Sequence, residues 1–158
     1  MTNSKVIVEC KPDEKLIKIL GVARNRVAHQ PNKGEVCNYL FKSDNYIALI
    51  DEDPNSSQPK HLQKFVLVEE KHDINKLIYK AENKTIFILK PRLEEWILKR
   101  CNLTGIKPES HYLNSNNKRL KDEINNKLHH FETLLSDLLN KEDEGLLYLK
   151  DQLNKLMK

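Results

Sequence analysis

The chain is poor in the residues that mark the commonest cofactor sites. It has four glycines and three cysteines in 158 residues. No Gly-rich phosphate loop and no Ser nucleophile elbow occurs, so neither of those chemistries has its usual carrier. Cys10, Cys37 and Cys101 are odd in number and far apart, with no Cys-x-x-Cys pair. That argues against a zinc ribbon or a redox motif and suits a reducing cytoplasm, the expected location. No apolar run approaches a membrane span. The stretch Val6–Val8 is too short for a signal peptide and meets charge at once. No internal repeat is visible. His29 follows a short predicted strand, while His129 and His130 are helix neighbours that face different directions and are not read as a metal pair.

What is present describes a folded protein. Hydrophobic residues make up 39% and charged residues 32%, which is too apolar for disorder. The length suits one domain with a helical appendage. Lys and Arg exceed Asp and Glu by 27 to 23, and this mild basic excess is compatible with nucleic acid without demanding it. Most single lysines read as solvated helix faces.

Strand and helix signals alternate along the first hundred residues. Val6-Ile7-Val8 reads as a first strand, ending at Glu9. Pro12 and Asp13 offer a helix start, Leu16, Ile17 and Leu20 recur at helical spacing, and Gly21 is a stop. Residues 25–30 suit a short second strand, Asn32-Lys33-Gly34 a turn, and Val36, Cys37, Leu40 and Phe41 a second helix. Residues 46–50 form the third strand. Further strands are expected over 65–68 and 85–89, a small helix at Ile74, Leu77 and Ile78, and a helix over 93–98. The alternation predicts an α/β fold over 1–101, a mostly parallel sheet flanked by helices. Residues 102–117 read as a linker. Over 118–158, Leu120, Ile124, Leu128, Phe131, Leu135 and Leu138 form one amphipathic stripe and Leu146, Leu149, Leu153 and Leu156 another, which predicts a C-terminal helical hairpin.

The run Ile47-Ala48-Leu49-Ile50-Asp51-Glu52-Asp53 carries the most chemistry. Four apolar residues suit a strand buried on both faces, and three carboxylates follow. Alternation puts Asp51 and Asp53 on one side and Glu52 on the other. Two such carboxylates repel unless a hard cation such as Mg²⁺ joins them, although a solvated acidic turn would read the same way. Glu9 ends the first strand at the matching edge of a parallel sheet.

A glutamate after the first strand and Asp-x-Asp after a later one resembles the Toprim domain of topoisomerases, primases and OLD-type nucleases, over residues 5–90. Gly34 lies near the point where that family often has a glycine. Pro91-Arg92-Leu93-Glu94-Glu95-Trp96 resembles the Pro-Glu-x-Glu-x-Trp segment of small Toprim-like proteins, with Arg92 in place of the first glutamate. Cys10 stands where many Toprim domains have glycine. The resemblance implies a Toprim-type nuclease that cleaves DNA or RNA phosphodiesters, as the effector of a bacterial anti-phage defence system with an ATPase partner. It implies Mg²⁺ or Mn²⁺ held by Asp51, Asp53 and Glu9, with Glu9 a metal ligand or a general acid/base. A second cation would activate the attacking water. Lys90 and Arg92, and after them Lys33, are the candidate phosphate contacts. Glu94 and Glu95 are further acidic candidates, and Trp96 suits a core anchor. The alternative is a non-catalytic scaffold subunit, whose leucine stripes would assemble a complex or a homo-oligomer.

Overall fold

The computed structural model describes residues 4–157. Its strands are β1 (Val6–Val8), β2 (Val27–His29), β3 (Ile47–Asp51), β4 (Val66–Lys71), β5 (Ile74–Tyr79) and β6 (Lys84–Leu89). Its helices are α1 (Lys11–Ile19), α2 (Lys33–Lys42), α3 (Leu93–Thr104), α4 (Asn117–Glu123), α5 (Leu128–Asn140) and α6 (Glu144–Leu156). The strands form one sheet in the order β2-β1-β3-β6-β5-β4. β2, β1, β3 and β6 run parallel, β5 is antiparallel to β6, and β4 is antiparallel to β5. The fold is therefore α/β, with a mixed and mostly parallel sheet flanked by helices.

The central strands are apolar on both faces because both faces are covered. Val6, Val8, Ile47, Leu49, Phe87 and Leu89 pack into the larger core with α1, α3, α5 and α6. Ile7, Ala48, Ile50, Ile86 and Ile88 point the other way, onto Val36, Cys37 and Leu40 of α2. α1 leads outward from β1 to β2, and α2 leads back past β1 to β3, so the two helices lie on opposite faces. The boundary between β1 and β3 is therefore a topological switch point, where the two connections diverge and leave a crevice at the carboxyl ends of the strands.

Polar groups fix the positions of the covering helices. Lys84, at the start of β6, is buried and caps the carboxyl end of α2, donating to the carbonyls of Leu40, Ser43 and Asn45. A cation there opposes the negative end of the helix dipole. Trp96 of α3 is 1% exposed and its indole N–H donates to the His72 carbonyl at 2.8 Å, so it is a core anchor. α6 approaches it through Gly145, where a Cβ would sit 2.9 Å from the Trp96 ring and 2.8 Å from Arg100.

Three expectations change. Ile74, Leu77 and Ile78 belong to a strand, not to a small helix. β4 and β5 form a hairpin around His72 and Asp73, both left-handed at φ 54° and 58°. Two successive positive φ values make the turn type whose twist matches antiparallel strands. Residues 102–117 carry the end of α3 and a 3₁₀ turn over Pro108–His111, with Ile106, Pro108 and Leu113 buried. His111 pins that turn to α5, through Thr133 at 3.1 Å and Asp137 at 3.0 Å. The first C-terminal stripe is split into α4 and α5 by a 3₁₀ turn at Ile124–Asn126. α5 packs on α1, where Lys15 pairs with Glu132 at 2.8 Å. No helix among the described residues is long and apolar enough to cross a membrane.

Candidate active site

A cleft of about 450 Å³ opens at the switch point, and the sequence places most of its chemistry there. Its lining includes Glu9 and Cys10 after β1, Asp51 and Asp53 at the end of β3, Lys33 and Gly34 of α2, and Arg92 and Glu94 at the start of α3. Lys121 of α4, with Ile124 and Asn125, closes it from the C-terminal region. Because β1 and β3 pair in parallel, Glu9 and Cys10 after β1 and Asp51 at the end of β3 leave the sheet at the same edge. α1, α2 and α3 all begin at this edge, so three helix N-termini face the cleft. Such termini favour anions, including the carboxylates themselves.

Asp51 ends β3 half-buried. Its Oδ1 accepts from the Leu93 amide at 3.1 Å, at the first turn of α3. Burial pushes its pKa up to about 8, and the nearby Asp13, Glu94 and Glu9 add to the rise. Asp13, in the first turn of α1, is 2% exposed. Its Oδ2 accepts from the Cys10 thiol at 3.1 Å, and its Oδ1 has no partner. Burial first, then Glu9 and Glu94, raise its pKa to about 7. Glu9 is raised chiefly by burial, and so is Glu94. Four carboxylates therefore share one poorly solvated region, and none of them forms an ion pair among the described residues.

Asp53 behaves differently. β3 ends at Asp51, and Asp53 sits outside it in a left-handed conformation at φ 42°. Strand alternation thus does not set its direction, although it lines the same cleft. Arg92 holds it, with Nη2 3.1 Å from Asp53 Oδ1 and Nη1 2.9 Å from Glu95 Oε1. Glu95 is consequently turned to Arg92, whereas Glu94 lines the cleft. Glu52 contributes its carbonyl, which accepts from the Lys33 ammonium at 2.9 Å.

The phosphate candidates separate. Arg92 and Lys33 line the cleft. Lys90 is not among its lining residues; its ammonium pairs with Glu70 of β4. Lys90 ranks above Lys33 in the sequence because it follows a strand of the same sheet, yet Glu70 of β4 captures it. Lys33 is 8% exposed, and its three donors are all used, on the Glu52 carbonyl, Ser56 Oγ and Gln58 Oε1. It holds the 52–58 loop in place. His29 pairs with Glu14 at 2.8 Å, outside the cleft lining.

Two residues of the cluster escaped the sequence reading. Asp13 stands at helical spacing with Leu16, Ile17 and Leu20, a carboxylate on the apolar stripe of α1, and that spacing was the available signal. Lys121 carries no such signal, since it is one lysine of a polar helix face. Its ammonium makes no ion pair among the described residues and lowers the pKa of both Glu9 and Glu94.

Among the described residues no three carboxylate, imidazole or thiol groups are gathered as a ready metal cage. Mg²⁺ rarely uses one, because it keeps several waters and takes one or two carboxylates with substrate phosphates. The mutual repulsion of Asp51, Glu9 and Glu94 in the cleft fits a cation of that kind, and Asp13, outside the cleft lining, adds to that repulsion with one oxygen left unpartnered. Comparison with protein-family models, with curated proteins and with solved structures finds no match to this chain.

Proposed function

We propose that the protein is a metal-dependent nuclease of Toprim type, acting on DNA or RNA phosphodiesters. The observation that supports this reading is the parallel pairing of β1 and β3, whose carboxyl ends bring Glu9 and Asp51 to the lining of one switch-point cleft. Glu9 and Asp51 would hold Mg²⁺ or Mn²⁺, with Asp53 and Glu94 beside them. The ion, when bound, polarises the phosphodiester and stabilises its developing charge. Helix N-termini and Lys121, which makes no ion pair among the described residues, would receive the phosphate. In hydrolysis water adds to phosphorus, the P–O ester bond breaks, and the leaving oxygen takes a proton. Glu9 would either hold the ion as a carboxylate or, protonated, carry that proton, and its raised pKa in the metal-free chain suits the second role. We further propose a role in anti-phage defence beside an ATPase, docked on the exposed polar faces of the C-terminal helices, because most of their leucine stripes are buried in the chain's own core and cannot serve.

The test is Mn²⁺- or Mg²⁺-dependent nicking of DNA or RNA. We expect Asp51→Ala and Glu9→Ala each to abolish it. A protein that cuts no nucleic acid in any divalent metal, alone or with the ATPase encoded beside it, would refute the proposal. A second reading, a non-catalytic scaffold, is favoured by the Arg92–Asp53 pair, which already neutralises one candidate ligand. Thermal melting separates the two, because a bound ion raises stability by mass action. A scaffold without the site would melt at the same temperature with and without Mn²⁺.

A further inference from the structure

The charges around the cleft are not evenly matched. On one side lie Glu9, Asp13, Asp51 and Glu94, none of them in an ion pair among the described residues. On the other lies Asp53, which shares the Arg92 guanidinium with Glu95. Arg92 immediately precedes α3, while Asp53 belongs to the loop that Lys33 fastens, so the guanidinium ties two separately held elements together. A guanidinium stays charged at every accessible pH and forks naturally between two carboxylates.

Enzymes that cleave phosphodiesters with two ions hold them about 3.5–4 Å apart on shared carboxylates. Here the carboxylate that a second ion would need is engaged by a side chain of the same positive sign. An ion placed there would meet Arg92 at close range and would have to displace it.

We propose that Arg92 is a resident cation of the site, standing in for a second divalent ion, so that the chain loads a single ion on the Glu9–Asp51 side. This deepens the metal-dependent reading above and rests on it. In the same position the guanidinium would face the substrate phosphate, as a second ion would.

The test counts bound ions on the full chain without nucleic acid, by calorimetric titration with Mn²⁺ and by the electron paramagnetic resonance signal of the free ion. The wild type should bind one Mn²⁺. Arg92→Gln should bind two, Arg92→Lys should return to one, and Arg92→Gln combined with Asp53→Asn should also return to one. Arg92 is partly exposed, so these variants should fold, and circular dichroism checks that they do. Two ions on the wild type would overturn the proposal. So would a single ion on folded Arg92→Gln, or two on the double variant. A chain that binds no Mn²⁺ in any form overturns it together with the metal-dependent reading. The expected counts on a protein that cuts nothing would support Arg92 as the resident cation and refute only the nuclease.

Discussion

On the α1 side of the cleft, Glu9, Asp13 and Asp51 are buried or half-buried with no basic partner in contact. On the loop side, Asp53 and Glu95 share Arg92, and Lys33 spends all its donors on the 52–58 loop. Both walls are acidic, yet only one is internally neutralised. A neutralised carboxylate reports on architecture. A buried one left unneutralised lowers stability, and so points to a ligand absent from the isolated chain.

The largest expected effect is on the unneutralised wall. Asp13 and Asp51 have folded pKa values of about 7 and about 8, above the unfolded carboxylate value of about 3.9. Between those limits the folded chain holds protons that the unfolded chain has released. Stability is therefore greatest at low pH and is lost as pH rises through about 8. Without metal, unfolding free energy should fall by up to roughly 7 kcal/mol between pH 5 and pH 8.5, measured by denaturant melts in a chelator. Asp51→Asn should remove most of that slope, and Mn²⁺ should restore the wild type at the upper end. A flat wild-type profile would show that these carboxylates are solvated and would erase the contrast between the walls.

Removing the fastener of the other wall should cost less. Lys33→Met deletes three hydrogen bonds from a buried ammonium, but the acceptors sit in a loop that water can reach. We expect a loss of about 2 kcal/mol, a fall in Tm of roughly 6 °C for a chain of this size. Amide exchange should accelerate at Ser56, whose N–H bonds the Asp53 carbonyl. An unchanged loop would mean that Lys33 only fills space, and would return it to the phosphate role expected from its sequence position.

The parallel half of the sheet was legible because its strands leave no choice. β1 is apolar throughout, β3 and β6 carry unbroken apolar runs over residues 47–50 and 86–89, and both faces are covered. β5 was not legible. In Ile74-Asn75-Lys76-Leu77-Ile78 the apolar residues recur at three and four, so a segment of six satisfies the helical period. Pairing with β6 and β4 decides its state, and no local signal encodes that pairing. At the site, Glu9 and Asp51 were readable because strand ends are readable. The partners of Lys33, Lys90 and Arg92 were not, since long basic side chains choose among acceptors that only the tertiary fold brings near. Asp13 lies between these cases, as a carboxylate on an apolar stripe is visible once the stripe is drawn.

The smallest effect sharpens the comparison most. Asp53→Asn removes one partner of Arg92 and leaves Glu95 in place. The pair is partly exposed, at 26% and 42% for its two side chains, and exposed ion pairs contribute little. In the metal-free protein at pH 7 we expect a loss of less than about 1 kcal/mol, shrinking further as salt is raised to 0.5 M. Asp51→Asn under the same conditions should move stability upward, because at pH 7 the folded carboxyl must hold a proton that the unfolded chain releases and the amide carries no such cost. Two aspartates two residues apart would then shift stability in opposite directions under one chemical change. The same sign for both would place them in one environment and dissolve the division of the cleft into a paired wall and an open one.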